Sequence, residues 1–414
     1  MLRDCLRSSV IEEDMARLYA RGGLRRALFG RTVLVTGATG MLASYLVYYL
    51  LWLNERQRAG IRILALVRSE AKAEKDRIVL MDCLPLEAPL CVSIEPANVC
   101  NFRCQMCWQS TKEYHEQGGP FQNMSMEVFE KVLADLQAMC RAHGRKIKLV
   151  KFYSSGEGML HPQIGEMIQR CREADVAEKM ELTSNCSLLT EKIASELIAA
   201  ELDYLRVSIY SVEPAHHDYV TGQRRFGPEE IRSNVARLYE MRERLGKKKP
   251  FICAKIMDMH DEENERFKEV YRGISDEQVI DVPWNIAGLE ENSLDKLYGA
   301  DGEKAHEEYL DTSLYKKRKA CRYPFTHLTV RSNGDVVVCC SDWPRQTMVG
   351  SVLEESLDDI WHGKRLYDFR VMQLRTHGSR HPLCKDCEIP LRDKPEDDID
   401  AFPVEKLSYK EKEQ

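Results

Sequence analysis

Between residues 85 and 300 the spacing of apolar positions switches repeatedly between two periods. Short apolar runs at 90–96, 147–153, 179–183, 205–209, 251–257 and 278–282 read as strands. Between them, apolar residues recur at helical spacing over 126–141, 163–174, 191–200, 228–245 and 262–273. Ser125 and Thr190 stand where the N-caps of two of these helices belong. Strands alternating with helices predict parallel strands joined by helical crossovers. Such folds do their chemistry at the C-terminal ends of the strands.

The flanks follow different patterns. Upstream, 31–43 (RTVLVTGATGMLA) reads as a strand, a glycine turn and the start of a helix, and 61–67 as a second strand. The longest apolar run, 41–53, is too short to span a bilayer and predicts a buried helix. The opening segment has no continuous apolar core, so no secretory signal is expected. Downstream, Asn333-Gly334-Asp335 is a hairpin turn signal between apolar runs at 328–331 and 336–338. These patterns divide the chain into an N-terminal piece (1–84), a core (85–300), a cysteine-bearing region (301–390) and a charged tail (391–414) expected to fray.

Composition narrows the setting. Hydrophobic residues make up 43% of the 414, enough for a sizeable core, and charged residues 30%. A net charge of -6 argues against nucleic acid or an anionic membrane as the main partner. A cytoplasmic location is expected, where the 15 cysteines would not pair as disulfides. Cys140, Cys171 and Cys253 lie in apolar stretches, and Cys5, Cys83, Cys91 and Cys186 have no partner at ligand spacing. The remaining eight fall into two groups, a pattern that points to metal or redox chemistry.

The first group, Cys100, Cys104 and Cys107, is a C-x3-C-x2-C triplet just after a predicted strand. Three thiolates in one loop can hold three irons of a cubane and leave the fourth open. A zinc site would need a fourth ligand, and the nearest spare one is His115. The segment SIEPANVCNFRCQMCWQS resembles the cluster loop of the radical S-adenosylmethionine (radical SAM) superfamily. That resemblance implies a partial (β/α)6 TIM-like barrel and a [4Fe-4S] cluster whose open iron takes S-adenosylmethionine. It further implies reductive cleavage to a 5′-deoxyadenosyl radical, with electrons from a donor such as flavodoxin or ferredoxin. The position before the third cysteine, usually aromatic in the family, is Met106, with Trp108 just beyond Cys107. Tyr153-Ser154-Ser155-Gly156-Glu157-Gly158 resembles the family's G-G-E motif, with Ser155 for the first glycine. Strand ends at Asn185 and Ser208 resemble two later cofactor contacts. The implied cofactor-binding residues are thus Met106, Gly156, Glu157, Asn185 and Ser208. The adjacent His216 and His217 read as a solvated surface pair.

In the second group, Cys321 and Cys339 flank the predicted hairpin, and Cys384-Lys385-Asp386-Cys387 adds a C-x2-C pair. Four such thiolates suit either zinc or a [4Fe-4S] cluster. The region resembles a shortened SPASM domain, which implies a second, auxiliary cluster on Cys321, Cys339, Cys384 and Cys387, with Cys340 as the rival to Cys339. Residues 31–43 resemble the fingerprint of extended short-chain dehydrogenases and epimerases, and Arg68 would favour NADP. Only one β-α-β unit is present, so an incomplete Rossmann-like extension without a working NAD(P) site is expected. Together these readings imply a radical SAM oxidoreductase acting on a sugar or aminocyclitol carbon. The alternatives are a radical SAM peptide maturase and a non-enzymatic zinc-binding or sensing protein. Small molecules or peptides are the expected substrates.

Overall fold

The computed structural model describes residues 79–258, 262–281, 285–289, 319–391 and 395–411, together with residue 295 and short pieces between 32 and 66. The chain divides into two units, Met1–Val79 and Leu80–Gln414. In the first, strands β1 (Thr32–Thr36) and β2 (Arg62–Leu66) pair in parallel, with Thr32 opposite Arg62. Parallel pairing of consecutive strands requires a crossover, and Leu50 and Leu53 in the segment between them are helical and buried. The glycine turn at 37–43 and Arg68 lie outside the described residues.

The second unit is built on one nine-stranded sheet. Six strands run in parallel and in chain order: β3 (Cys91–Ile94), β4 (Ile147–Phe152), β5 (Ala177–Ser184), β6 (Tyr204–Ile209), β7 (Phe251–Met257) and β8 (Glu277–Asp281). Their order and parallel pairing are those of a partial (β/α)6 barrel. After the short helix α1 (Lys112–Gln117), the crossovers contain α2 (Met126–His143), α3 (Ile164–Glu173), α4 (Glu191–Ala199), α5 (Pro214–Thr221), α6 (Pro228–Arg244) and α7 (Glu262–Tyr271). Helix α2 starts where expected because Ser125 Oγ accepts from Val128 N (3.2 Å). It stops at Gly144, whose φ of 62° suits glycine. Thr190 caps α4 in the same way.

Alternation along the strands separates two environments. Val92, Ile94, Val150, Phe152, Leu182, Leu205, Val207, Ile252 and Ile256 are buried in one core cluster with Phe129, Leu136, Met167, Leu197, Leu238 and Phe267 of the helices. The intervening positions include the polar residues Glu95, Lys151, Glu181, Arg206, Ser208 and Lys255 beside Cys91, Leu149 and Cys253. Glu181 pairs with both Lys151 (3.7 Å) and Arg206 (3.8 Å). A parallel sheet packed on both faces would carry apolar runs instead. The inner face is therefore furnished for ligands.

The predicted hairpin forms as β9 (His327–Val330) and β10 (Asp335–Val337), and a third strand, β11 (Met348–Ser351), extends it. β9 also pairs in parallel with β3, so the cysteine-bearing region continues the barrel sheet. The tail departs from expectation. Residues 395–411 are ordered, with Ile399, Phe402 and Leu407 buried in a satellite core with Leu80, Ala320, Phe325 and Leu374. Three apolar side chains in a charged stretch were enough to dock it. No helix among the described residues is long and apolar enough to cross a membrane.

Candidate active site

The first cysteine loop leaves the end of β3 and is held from two sides. Arg103 N and Gln105 N donate to Thr221 O (2.9 Å) and Val220 O (2.8 Å) at the end of α5. Gln109 Nε2 donates to Asn98 O (2.9 Å) and Ser155 O (2.7 Å), and Tyr114 Oη to Asn98 O (2.7 Å). Phe102 packs edge-on against His217, with ring centroids 6.0 Å apart. The thiols themselves receive backbone donors: Phe102 N to Cys100 Sγ (3.4 Å) and Gln109 N to Cys107 Sγ (3.5 Å). Tyr210, the residue after β6, packs against Phe102 of the loop, with ring centroids 6.1 Å apart.

Without a metal the three thiols stay protonated. Burial, reinforced by neighbouring negative groups, pushes the Cys100 thiol up to about 12. Burial likewise takes Cys107 to about 11 and Cys104 well above its ordinary range. Three thiols crowded in this way are relieved by iron, whose positive charge holds them as thiolates. Zinc fits less well. At a Zn–S length of about 2.3 Å, tetrahedral thiolates sit about 4 Å apart. Among the described residues the one group of three ligands with all donor atoms within 4.8 Å of one another contains no cysteine. It is His143, Asp358 and His362, whose carboxylate is already bound by His143 (2.7 Å) and Lys410 (2.9 Å). Both thiol groups are thus more open than a zinc site and suit the wider cubane.

The G-G-E-like turn follows β4 and lies on the cysteine loop. A Cβ on Gly156 would come within 2.3 Å of Val99 O and 2.5 Å of Ala97 O, so only glycine permits this approach. Glu157 N donates to Val99 O (2.9 Å). The Glu157 carboxylate is buried, and desolvation raises its pKa. It accepts from Ser184 Oγ (2.8 Å), Met159 N (2.9 Å) and Asn185 N (2.8 Å). A carboxylate offers about four acceptor positions, so one remains beyond these three donors. Glu157 therefore ties the turn to the end of β5. Asn185 Nδ2 donates to Asn101 Oδ1 (3.1 Å), and Asn101 Nδ2 to Ser187 Oγ (2.8 Å), joining β5 to the cysteine loop. Met106 is buried in the main core cluster. Ser208 is half-buried on β6, on the same strand face as Arg206.

The histidine pair departs from its expected exposure. His217 is buried, and its Nε2 lies 3.0 Å from Phe226 O. His216 Nδ1 lies 2.8 Å from the buried Glu263. Helix α5 is pressed against the cysteine loop and buries His217, Val220 and Thr221. Sequence reasoning also passed over Asn101, Ser184 and Tyr210. Asn101 lies inside the quoted triplet; the other two are polar residues at strand ends without a distinguishing pattern.

The second group closes around a cavity. Cys321, Cys339, Cys384 and Cys387 line it together with Tyr323 and Phe369. Cys340 is not part of that lining. Its Sγ lies 3.8 Å from Tyr153 Oη, and its carbonyl accepts from Ser154 Oγ (3.5 Å). The two cysteines follow β10, which ends at Val337, and only Cys339 contributes to the cavity wall. A neighbouring cavity is lined by Trp108, Ala287, Ser341, Cys387 and Glu388, and so touches both the loop that follows Cys107 and the second thiol group.

These features meet a clear counterpart among known proteins. Residues 94–274 match the radical SAM superfamily and residues 321–388 match the SPASM iron–sulfur cluster-binding domain. The chain is a radical SAM superfamily member carrying a SPASM domain. It is 24% identical over 329 residues to the tungsten-containing aldehyde ferredoxin oxidoreductase cofactor-modifying protein of Pyrococcus furiosus, covering 72% of this chain and 86% of that protein. It is 30% identical over 109 residues to the S-adenosyl-L-methionine-dependent 2-deoxy-scyllo-inosamine dehydrogenase of Niallia circulans, covering 22% of this chain and 43% of that one. Among solved structures, SuiB of Streptococcus suis is similar at 16% identity and a TM-score of 0.49, covering 84% of this chain and 81% of that chain. Neither matched domain reaches residues 1–93.

Proposed function

We propose that this radical SAM enzyme oxidises a carbon of a sugar or aminocyclitol, using two [4Fe-4S] clusters. Cys100, Cys104 and Cys107 hold the first, and Cys321, Cys339, Cys384 and Cys387 hold the auxiliary one. The observation that carries this reading is the cavity lined by the second four thiols, beside a cleft lined by both Cys387 and Trp108, the residue that follows Cys107. When bound, the first cluster and S-adenosylmethionine supply the hydrogen-abstracting radical, and the auxiliary cluster supplies an electron acceptor. The chain's own residues orient and enclose. Gly156 lets the turn close on the cysteine loop, and Glu157, Asn185 and Asn101 lock that turn to β5. Met106 and Ser208 complete the set assigned to the cofactor. Trp108, fixed by its Nε1 donating to Ser155 O (3.2 Å), forms a wall between the two thiol groups. The dehydrogenase relative supports the oxidative chemistry. A flavodoxin or ferredoxin is the proposed electron donor.

The test is anaerobic reconstitution, reduction and assay for 5′-deoxyadenosine, followed by a screen of polyols and aminocyclitols for a dehydrogenated product. About eight irons per chain and cofactor cleavage are expected. Cleavage that proceeds only with a peptide substrate would replace the sugar reading with the maturase reading. Bound zinc with no visible absorption would remove both.

A further inference from the structure

The turn that carries Gly156 is not held by the barrel alone. We propose that Glu95 and Arg331 are positioning residues for the turn at 154–158, so that the C-terminal sheet completes the cofactor-cleaving site. The inference rests on the reading above that this turn holds S-adenosylmethionine.

Strands β3 and β9 run in parallel with Ile94 opposite Val330. The next residue of each, Glu95 and Arg331, therefore stand side by side at the strand ends. Both side chains are fully buried, at 0% exposure. Arg331 Nη1 lies 3.1 Å from Glu95 Oε2 and also donates to Ser154 Oγ (3.0 Å). The same carboxylate accepts from Ser155 N on Oε2 (3.0 Å) and from Ser332 N on Oε1 (3.1 Å). One ion pair thus joins the strand entering the cysteine loop, the turn beneath the cofactor and the hairpin leading to Cys339. Ser154 Oγ continues the path to Cys340 O. Because Gly156 lies against the backbone of 97–99, a shift of the turn would also shift the loop that leads to Cys100.

A stability role accounts poorly for this pair. Buried ion pairs add little over well-packed apolar residues, and fixing one geometry is their best-attested use. Nε and Nη2 of Arg331 meet no acceptor in the protein, so the guanidinium is not optimised for stability either. What it does achieve is to hold two successive residues of the turn, Ser154 through its hydroxyl and Ser155 through Glu95.

The test uses the cluster-loaded protein without substrate. Three variants are compared with the unaltered chain: Arg331→Met, the double variant Glu95→Met/Arg331→Met, and Arg331→Lys. The measurements are the melting midpoint, the KM for S-adenosylmethionine in uncoupled 5′-deoxyadenosine formation, and the change the cofactor causes in the electron paramagnetic resonance spectrum of the reduced cluster. Arg331→Met should lower the midpoint and raise KM about tenfold or more, the effect of losing charge-assisted hydrogen bonds. In the double variant the midpoint should recover, because no unpaired charge is left buried. KM should stay high, because Ser154 Oγ then loses its guanidinium donor and Ser155 N its carboxylate acceptor. Recovery of KM and of the spectral response together with the midpoint would overturn the proposal, as would an unaltered KM in Arg331→Met. If Arg331→Met fails to retain its iron, Arg331→Lys decides: a lysine keeps the charge, but its chain ends one bond short of Nη1, the atom that contacts both Glu95 and Ser154. Full iron with a raised KM then supports the proposal, and an unaltered KM refutes it. Failure of the sugar-oxidation reading would not touch these measurements, which precede substrate. Failure of the reading of the turn would show as an unaltered KM in Gly156→Ala as well.

Discussion

The two thiol groups of this chain are made of the same ligand type, yet the fold builds them in opposite ways. Cys100, Cys104 and Cys107 come from one loop of eight residues at a strand end, with the turn at 154–158 packed against the segment leading into it. Cys321, Cys339, Cys384 and Cys387 come from three separate stretches and surround a cavity. A short loop can supply three thiolates but leaves a metal corner vacant for a ligand. Four thiolates brought together by tertiary structure leave none vacant, and suit electron transfer instead. Position in the fold, more than ligand chemistry, separates the two roles.

The sharpest way to break this contrast is Cys104→Ala. It should take 5′-deoxyadenosine formation below detection and reduce iron from about eight to about four per chain, with the auxiliary cluster intact. Cofactor cleavage that survives would remove the first assignment. Next in size, Cys384→Ala should also reduce iron to about four, abolish substrate oxidation, and keep uncoupled cofactor cleavage within about tenfold of the unaltered chain. Equal loss of both activities would show that the second group is not confined to an electron-transfer role.

A smaller effect is expected from Gly156→Ala. The added methyl meets backbone atoms that cannot rotate away, so a cost of about 1–3 kcal/mol and a higher KM for S-adenosylmethionine should follow. Chemical denaturation and steady-state kinetics measure the two.

The pH response of metal-free protein separates thiol from thiolate. Burial raises the folded pKa of Cys100 from 9.0 to about 12 and of Cys107 to about 11. The folded chain then binds these protons more tightly than the unfolded chain. Their contribution to stability is complete below about pH 9 and is lost progressively toward about pH 12. Urea midpoints should fall over that range for metal-free protein and fall less once the cluster holds the sulfurs as thiolates. The smallest change should come from Cys340→Ser, which should retain both sets of iron where Cys339→Ser loses one. The reverse result would exchange their assignments.

Much of the fold was legible because the local signals agree. For 126–141 the apolar period, the Ser125 cap and the stop at Gly144 all point to one helix, and the observed α2 extends the expected span by two residues, to His143. The strand at 251–257 matches residue for residue. The cysteine triplet was legible because three ligands lie within one loop. The docking of the tail, by contrast, depends on a satellite core assembled from residues more than 300 positions apart, such as Leu80 and Phe402. The burial of His217 depends on a loop more than 100 residues upstream. No pattern within either stretch encodes the partner.

The sequence alone determined the alternating elements and the close spacing of Cys100, Cys104 and Cys107 and of Cys384 and Cys387, because each is written in spacing over a few residues. Only the tertiary structure decided that Cys339, not Cys340, faces the cavity. It also decided that Glu157 locks the turn to β5 and that Arg331 reaches across to Glu95. These depend on which strands become neighbours. The parallel pairing of β3 with β9 joins residues some 230 positions apart through backbone hydrogen bonds, which carry no residue code.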